Sequence, residues 1–364
     1  MTSISEINSI PKTKKPSDSA FKQQRLPAWQ PILTAGTVLP TFFVIGIAFI
    51  PVGIGLLYFS DQVKEYIIDY TECNSTNKFR TQDVPYKCTD YIVEVPNHAE
   101  PCICTIEFKL PSDFNGKIYM YYGLTNFYQN HRRYVKSRDD NQLLGKLSDE
   151  VSGDCGPFAF DANNTPIVPC GAIANSLFSD ELELYSKKHN GPVPLIKTGI
   201  AWPSDKNIKF RNPEGNLTEA FKGYAKPKNW TKQIYELDLK DESNNGLQNE
   251  DLIVWMRTAA LPTFRKLYRR VNHTEQGFSE GLVEGDYILT VKYSYPVSAF
   301  DGKKRMILST TSLLGGKNPF LGIAYIVVGC ICLVLGITLL IIHIKCSKSA
   351  TEMINVSPTT PYQE

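Results

Sequence analysis

The stretch ILTAGTVLPTFFVIGIAFIPVGIGLLYF, residues 32–59, decides the fold of this chain, because its 28 residues contain no charged side chain. A second apolar run, FLGIAYIVVGCICLVLGITLLIIHI, covers residues 320–344 and is bounded by Lys317 and Lys345. A bilayer core of roughly 30 Å needs about 20 apolar residues in an α-helix, so each run is long enough to span it. We therefore predict an integral membrane protein with transmembrane helices at 32–59 and 320–344.

Positive charge beside the first run indicates the orientation. Only one basic residue, Lys64, closely follows the run. Five precede it: Lys12, Lys14, Lys15, Lys22 and Arg25. Such an excess favours the cytosolic side. We predict a cytosolic tail at 1–31, an exoplasmic or lumenal ectodomain at 60–319 and a cytosolic tail at 345–364. The basic residues at 303–305 oppose this orientation, but long loops translocate largely regardless of charge. Residues 1–20 and the last 20 residues are predicted to be disordered.

Six of the nine cysteines lie between the two runs: Cys73, Cys88, Cys102, Cys104, Cys155 and Cys170. An even set confined to one segment is typical of a domain that folds in an oxidising compartment. Six cysteines allow many pairings, so the residues alone leave the connectivity open. The other three, Cys330, Cys332 and Cys346, lie in or beside the second run, where we expect them to be reduced.

Five Asn-x-Ser/Thr sequons lie in the same segment, at Asn74, Asn163, Asn216, Asn229 and Asn272. A single sequon carries little information, but five on the predicted exoplasmic side indicate passage through the secretory pathway. We expect glycosylation within this set. A further sequon, at Asn355, falls in the predicted cytosolic tail, where we expect no modification.

The central segment shows the alternation of half-buried strands. Apolar and polar residues alternate along 105–110 and again along 287–295, which is the period of a strand with one face in a core. Residues 117–122 and 305–310 are further strand candidates. Residues 251–271 favour a helix that its internal proline would kink or break. We predict a large, mainly β, disulfide-bonded and glycosylated ectodomain with an antiparallel, sandwich-like arrangement.

Patterns that carry chemistry are scarce. The five histidines lack metal-ligand spacing, and no Gly-x-Ser-x-Gly, P-loop or His-Glu-x-x-His motif occurs. DESNNG at 241–246 matches the start of a calcium-binding loop, but Leu252 stands where that loop needs a glutamate, so a turn is favoured. The basic cluster at 131–138 adjoins Asp139 and Asp140, which favours salt bridging or partner contact over nucleic-acid binding. We expect no catalytic residue, cofactor or metal.

Glycines recur every seven residues along both apolar runs: Gly46 and Gly53 in the first, and Gly322, Gly329 and Gly336 in the second. At about 100° per residue this spacing keeps them on one face of a helix. Small residues let helices approach closely in lipid, where packing drives association. We predict that both stripes are helix-packing sites. Apart from His343, the runs lack the ionisable residues that mark ion paths, so they are interpreted as anchors.

Several segments together resemble one family of membrane proteins. They are FKQQRLPAWQP (21–31), YYGLTNFYQNHRRY (121–134), PCGAIANS (169–176), NIKFRNP (207–213), WMRTAALPTFRKLY (255–268) and GGKNPFLG (315–322). With these motifs the chain resembles the cell-division-cycle-fifty family, the accessory β-subunits of lipid flippases. The resemblance extends from Phe21 to Ile344, and so long a set is highly specific.

The resemblance implies a function and a partner. The chain would be the non-catalytic subunit of a type-IV P-type ATPase that moves aminophospholipids, such as phosphatidylserine, from the exoplasmic to the cytosolic leaflet. It would act as a chaperone for folding, exit from the endoplasmic reticulum and activity of that ATPase. Its locations would then be the endoplasmic reticulum, the Golgi and the plasma membrane, with membrane lipids as further contacts and no nucleic acid.

The resemblance also implies structural details. The disulfides would join Cys73 with Cys104, Cys88 with Cys102, and Cys155 with Cys170. The glycine-striped helices would dock on the helices of the catalytic subunit, and the ectodomain would cover its exoplasmic loops. The segment around Trp29 would lie at the cytosolic membrane interface, where tryptophan is favoured.

Two other classes share this layout. A trimeric ligand-gated ion channel has two spans, cytosolic ends and a cysteine-rich ectodomain, but such channels use more cysteines and a pore helix with polar residues. A cell-surface adhesion protein would need no ATPase. Both should reach the cell surface unaided, whereas a flippase subunit should depend on its partner.

Overall fold

The computed structural model describes residues 17–26, 34–76, 86–94, 101–148, 150–312 and 315–353. This part of the chain contains eight α-helices: α1 Ala35–Asp61, α2 Cys88–Glu94, α3 Arg132–Lys136, α4 Asp140–Leu143, α5 Ala172–Asn175, α6 Leu217–Ala220, α7 Glu250–Met256 and α8 Phe320–Met353. By length and composition, α1 and α8 can each cross a membrane. The two predicted apolar spans are therefore confirmed as helices.

The helix α8 continues beyond the predicted end of the second span at Ile344 to Met353. The predicted disorder of the carboxyl tail is therefore wrong for residues 345–353, because the helix that contains the second apolar run continues through them. Trp29, Asn355 and the first 16 residues lie outside the described residues.

Eleven β-strands lie between these two helices in the described residues: β1 Glu65–Asp69, β2 Cys102–Leu110, β3 Phe114–Asn115, β4 Ile118–Leu124, β5 Glu181–Ser186, β6 Gly191–Pro192, β7 Leu195–Ile196, β8 Phe264–Val271, β9 Gly281–Leu282, β10 Gly285–Tyr293 and β11 Lys304–Thr310. They form a five-stranded sheet in the order β1-β11-β4-β8-β7 and a four-stranded sheet in the order β2-β10-β5-β6, with β3 and β9 as a separate pair. All these strand pairings are antiparallel.

Hydrophobic alternation explains the central strands. In β10, Tyr287, Leu289, Val291 and Tyr293 are buried, while the residues between them are partly exposed. Because side chains alternate across a strand, one face of β10 enters the core. Tyr287 pairs with Phe108 of β2 in the ladder. All four predicted strand segments lie largely within strands, so the mainly β, sandwich-like interpretation is confirmed.

Aromatic side chains join the two sheets. Tyr66 of β1 stacks on Phe108 of β2 with ring centroids 5.1 Å apart, and Phe108 stacks in turn on Tyr287 at 5.8 Å. Residues of both sheets belong to one continuous buried cluster. Aromatic pairs at such distances add to the stability that comes from buried area.

The predicted helix at 251–271 is wrong beyond its first turns. Asn249 caps α7 by accepting a hydrogen bond from the Leu252 amide at 3.1 Å, but the helix ends at Met256. Residues 264–271 instead form β8, which pairs with β4 in the five-stranded sheet. Pairing with β4 therefore overrides the helical pattern of these residues. Pro262 lies in the connection between α7 and β8 rather than in a kinked helix.

One ladder joins the two ends of the ectodomain. β1, directly after α1, pairs with β11 from Glu65 opposite Ser309 to Asp69 opposite Arg305. The Thr310 amide donates to the Lys64 carbonyl at 3.0 Å. Three residues separate α1 from β1 and nine separate β11 from α8, so this pairing holds the first and last strands of the ectodomain side by side.

The glycine stripes lie where α1 and α8 pack against each other. A Cβ atom at Gly46 would lie 2.6 Å from the Leu333 side chain, and one at Gly53 would lie 2.9 Å from the Gly322 carbonyl oxygen. Hydrogen at these positions lets the backbones approach. The stripes are therefore covered by each other within this chain, which corrects the expectation that they dock on a partner's helices.

We expect Gly53→Ala to weaken the helix pair by about 1–3 kcal/mol, the usual cost of overpacking. Gly55→Ala is the matched control, since a Cβ atom at Gly55 meets nothing within 4 Å and both changes add the same helix propensity. The ring centroids of Phe49 and Tyr325 lie 4.8 Å apart across the pair, so these two residues are the positions to replace by cysteines. Disulfide cross-linking at these positions should fall with Gly53→Ala only; equal yields in both backgrounds would contradict the packing.

A buried ion pair lies between the two sheets. Lys304 of β11 donates to Asp180 at 2.6 Å, and both side chains have 0% exposure. Lys304 also donates to the Tyr295 carbonyl at 2.7 Å, and Asp180 accepts from the Tyr70 hydroxyl at 3.1 Å. Burial lowers the pKa of Lys304 to about 8, and Asp180 opposes this shift. Every charge is thus paired, as burial requires.

We expect Lys304→Met to destabilise the ectodomain by about 3–5 kcal/mol, because it leaves the Asp180 carboxylate buried without its cation. Lys303→Met, at the exposed neighbouring position, should change little. Thermal unfolding of the purified full chain, followed by tryptophan fluorescence, measures both. A Lys304→Met protein as stable as Lys303→Met would refute the role of the pair.

Candidate interaction surface

Parts of two sequence motifs and the neighbouring residues 202–209 meet on the surface of the ectodomain. The amide of Phe127 donates to the Pro262 carbonyl at 3.1 Å, and the Asn130 side chain donates to the Ala260 carbonyl at 2.9 Å. The loop after α7 also contacts residues 202–209 through Arg257. We name the set 127–130, 202–209 and 257–262 the motif surface.

Arg257 links two parts of the motif surface. Its guanidinium lies 4.4 Å above the Trp202 ring and 3.1 Å from Asp205, which also pairs with Lys209 at 2.8 Å. Burial acts to raise the pKa of Asp205, but Lys209 and Arg257 lower it overall. The carboxylate is therefore ionised at neutral pH and holds both cations beside the tryptophan.

A buried glutamate fixes the start of α7 to the same region. Glu250 accepts hydrogen bonds from the amides of Ile200 at 2.7 Å and Ala201 at 2.9 Å, and it pairs with Lys206 at 2.8 Å. Burial acts to raise the pKa of Glu250, but these hydrogen bonds and Lys206 lower it overall. Residues 200–206 are thereby held against α7 by an ionised, fully partnered side chain.

A buried lysine holds the other end of α7. Lys266 of β8 is 7% exposed, and its ammonium donates to the carbonyls of Val254 at 2.9 Å, Trp255 at 2.8 Å and Arg257 at 2.6 Å. The last carbonyls of a helix have no partner within the helix, so this ammonium satisfies them. Burial lowers the pKa of Lys266 to about 7, and the charge of Arg257 acts in the same direction.

Four large side chains of the motif surface point into solvent: Tyr128 is 57% exposed, Trp202 62%, Ile208 64% and Leu261 67%. Beneath them Trp255 is fully buried and donates to the Ile173 carbonyl at 2.8 Å. Exposed apolar side chains beside tryptophan and arginine are typical of protein-binding surfaces. The arrangement therefore favours a preorganised contact surface for another protein.

The weaker sequence patterns have structural explanations. Arg138 of the basic cluster pairs with Asp140 at 2.9 Å, while Asp139 caps α4 by accepting from the amides at 141 and 142. In the calcium-like segment, Asp241 accepts from the Ser243 amide at 2.9 Å, and Gly246 has a φ of 68°. The segment 241–246 therefore forms the predicted turn. The basic cluster, which includes α3, forms a salt bridge through Arg138, as one of the two predicted roles requires.

The structure contains three disulfides, between Cys73 and Cys104, Cys88 and Cys102, and Cys155 and Cys170. These are the pairs that the family resemblance implies. The sulfur atoms of Cys73, Cys88 and Cys104 lie within 4.8 Å of one another, because the first two bridges are adjacent. In the disulfide form these sulfur atoms are unavailable as thiolate metal ligands.

All five candidate glycosylation sites lie at the surface. Asn74, Asn163, Asn216 and Asn229 are exposed, and Asn272 is partly exposed. Asn216 and Asn272 accept local hydrogen bonds only at Oδ1, which leaves the amide nitrogen, the atom that carries a glycan, pointing elsewhere. The geometry is compatible with modification of each of these sites.

Known proteins with similar sequences place the chain in a family. The model of the LEM3 (ligand-effect modulator 3) family / CDC50 family matches residues 56–349. The chain belongs to this family. It is 55% identical over 348 residues to cell cycle control protein 50A of Mus musculus, with 93% of this chain and 92% of the relative covered. The predicted family resemblance is thus confirmed.

More distant members are similar over nearly the same length. Cell cycle control protein 50B of Homo sapiens is 47% identical over 342 residues, covering 91% of this chain and 94% of the relative. ALA-interacting subunit 3 of Arabidopsis thaliana is 42% identical over 335 residues, covering 91% and 87%. The similarity therefore includes both apolar helices and the ectodomain.

Sequence reasoning missed the buried cations of this CDC50-family ectodomain. The sequence presents Lys304 only as a charge before the second span, and Lys266 lies in the predicted helix at 251–271. Lys304 is in phase with the buried Met306 and Leu308 of β11, and Lys266 with the buried Tyr268 of β8. This alternation with a period of two was the available sequence signal that both lysines are buried. The groups that accept their hydrogen bonds lie on other segments, and the alternation does not identify them.

We expect Lys266→Met to loosen the end of α7 and destabilise the protein by roughly 1–3 kcal/mol, because buried carbonyls lose their donor. Lys292→Met is the matched control, since Lys292 is a half-exposed lysine on a strand, paired with Glu181 at 3.3 Å. Hydrogen exchange of the amides at 250–262 should accelerate in the first variant only. Unchanged exchange would show that Lys266 does not hold this helix end.

The lowered pKa of Lys266 also sets a pH dependence. Its folded pKa of about 7 lies below the ordinary lysine value of about 10.4, so above pH 7 the unfolded chain binds the extra proton. The stability of wild type relative to Lys266→Met should therefore rise between about pH 7 and 10 and stay constant below 7. Chemical unfolding across this range measures the difference, and a difference that falls with pH would contradict the assignment.

Proposed function

We propose that this chain is the accessory β-subunit of a type-IV P-type ATPase lipid flippase, in a complex of one copy of each. Membership of the CDC50 family over residues 56–349 carries the proposal, and one relative is itself named as an interacting subunit. ATP hydrolysis and the passage of aminophospholipids belong to the large subunit, and the accessory chain supports its folding, its exit from the endoplasmic reticulum and its activity.

The motif surface is the proposed contact with the exoplasmic loops of the ATPase. Its exposed side chains, Trp202, Ile208 and Leu261, stand on segments fixed by Glu250 and Lys266. A surface that is ordered before binding loses little conformational entropy when the partner arrives. This preorganisation supports a role in stabilising loops that would otherwise be mobile.

The membrane helices offer a second contact. The glycine faces of α1 and α8 are covered by each other, whereas Val44, Ile47 and Val52 of α1 and Val334 of α8 remain exposed. We propose that helices of the ATPase and surrounding lipid cover these remaining faces. Van der Waals packing of apolar side chains suffices for association in lipid.

The proposed topology has the ectodomain in the lumen or outside the cell and both termini in the cytosol. Three disulfides support this placement, because disulfides form and persist in oxidising compartments. Five surface sequons support it as well. The proposed locations are the endoplasmic reticulum, Golgi and plasma membrane, with N-glycans on the ectodomain.

The contact surface can be tested with Trp202→Ala and Leu261→Glu in the full chain. We expect recovery of the ATPase with this subunit, and exit of the complex from the endoplasmic reticulum, to fall by roughly tenfold or more, since interface hot spots cost about 2 kcal/mol or more. Val93→Glu is the control, because Val93 is a 59% exposed apolar residue on α2, outside the motif surface.

The thermal midpoints of the purified variants establish that each is folded. Folded variants that recover the ATPase normally would exclude the motif surface as the contact. Efficient arrival of the wild-type chain at the cell surface in cells lacking type-IV P-type ATPases would contradict the subunit assignment itself and favour a channel or adhesion protein.

A further inference from the structure

An open groove of about 710 Å³ lies on the ectodomain beside the first sequon. Its walls are formed by Asp69 at the end of β1, residues 71–74 after it, residues 105–107 of β2 and the turn 301–303 before β11. Asn74 itself lines the groove. The volume falls within the roughly 300–1,000 Å³ of sites that hold small ligands, so it accommodates one or two sugar rings.

The polar groups of the groove suit a neutral ligand with many hydroxyl groups. Three of its four carboxylates have partners within the protein: Asp69 accepts from the Thr71 hydroxyl at 2.6 Å, Glu72 from Lys87 at 2.8 Å and Glu107 from Lys187 at 2.6 Å. The fourth is Asp301, in the turn before β11. Compensated carboxylates attract a cation weakly, but each retains lone pairs that accept hydrogen bonds. Sugar hydroxyls fit this lining better than a metal ion does.

The attachment point is fixed at the edge of this groove. Asn74 forms a β-bridge with Lys87, and the amide of Thr76 donates to the Ile103 carbonyl at 2.8 Å. The Asn74 side chain is exposed. A glycan on a fixed residue that lines a groove meets the groove at high effective concentration, so weak contacts suffice to hold it.

The floor of the groove includes a disulfide cysteine. Cys73 lines the groove and is 9% exposed, whereas its bridge partner Cys104 is 0% exposed. The cysteines of the other two bridges are 1% exposed or less. Of the three bridges, Cys73–Cys104 is thus the one with a cysteine that lines this groove and has the largest exposed fraction.

We propose that Asn74 carries an N-linked glycan whose first N-acetylglucosamine residues lie in this groove and cover the Cys73–Cys104 bridge. Modification joins Asn74 Nδ2 to C1 of an oligosaccharide carried on a lipid pyrophosphate; the C1–O bond breaks, the lipid pyrophosphate leaves and the amide loses one proton. The inference rests on the exoplasmic topology of the proposed function.

Glycosidase digestion of the full-length protein, purified from a glycosylating cell, tests the position of the glycan. Glycopeptide mass spectrometry before and after digestion follows each sequon. We expect Asn74 to be occupied and its glycan to be released about tenfold or more slowly from native than from denatured protein, since access would require local opening. A glycan on the exposed Asn163 should be released natively at nearly the denatured rate.

A second experiment tests protection of the bridge. Native protein is exposed to a small-molecule dithiol, and newly formed thiols are alkylated and mapped. Asn74→Gln should open the Cys73–Cys104 bridge about tenfold faster than wild type, as loss of a covering group predicts. Asn163→Gln should not change it, and Thr76→Ser, which keeps the sequon, should behave as wild type.

The outcomes separate this inference from the proposed function. An unmodified Asn74 in a chain glycosylated at other sequons overturns the inference alone. So does an Asn74 glycan released equally fast from native and denatured protein, or a bridge opened equally fast in wild type and Asn74→Gln. A chain without any modified sequon overturns the exoplasmic topology and this inference with it.

Discussion

The ion pair between Lys304 and Asp180 joins the two sheets of the ectodomain, and the rest of the structure depends on how these sheets are aligned. Lys304 opens β11 in the five-stranded sheet, and Asp180 immediately precedes β5 in the four-stranded sheet. Asp180 also accepts from the amides of Ser294 and Tyr295 at 2.6 Å, directly after β10. Charges buried this completely are tolerated only when every polar atom has a partner, so the pair restricts the two sheets to one arrangement.

That arrangement determines where the chain enters and leaves the ectodomain. β11 begins at Lys304 and pairs along its length with β1, which places Lys64 beside Thr310. α1 ends at Asp61, shortly before Lys64, and α8 begins at Phe320, ten residues after Thr310. Within the membrane part, the glycines of α1 and α8 allow close approach of the two backbones. The helices therefore act as one paired anchor. The surfaces left for a partner are the helix faces without these glycines and the surface of the ectodomain.

Local patterns predicted what depends on local physics. Two uncharged runs indicated the helices, period-two alternation indicated β2 and β10, and glycine spacing indicated the helix contact. Two kinds of feature could not be predicted from local patterns. The segment 264–271 is a strand because β4 pairs with it, and the helical pattern of its own residues could not reveal that. Lys266 is buried because three carbonyls from 254–257 converge on it, and such convergence has no signature in spacing.

The motif surface, too, could be predicted only in part from local sequence patterns. The segments 127–130 and 257–262 lie in two separate family motifs, and 202–209 overlaps a third only at 207–209. Their meeting depends on Arg257 contacting Trp202 and on Asn130 contacting Ala260. These contacts join positions far apart in the chain. The outcome is a rigid, partly apolar surface over a buried tryptophan, which is the form expected of a subunit that stabilises another protein.

The central claim is that this chain is the accessory subunit of a type-IV P-type ATPase. Affinity purification of the full chain from mild detergent, with a tag on its carboxyl tail, tests it most directly when combined with mass spectrometry and a lipid-stimulated ATPase assay. We expect recovery of one such ATPase in equal amount, with hydrolysis stimulated by an aminophospholipid. A homotrimer without any ATPase would contradict it and identify the chain as a channel-like assembly.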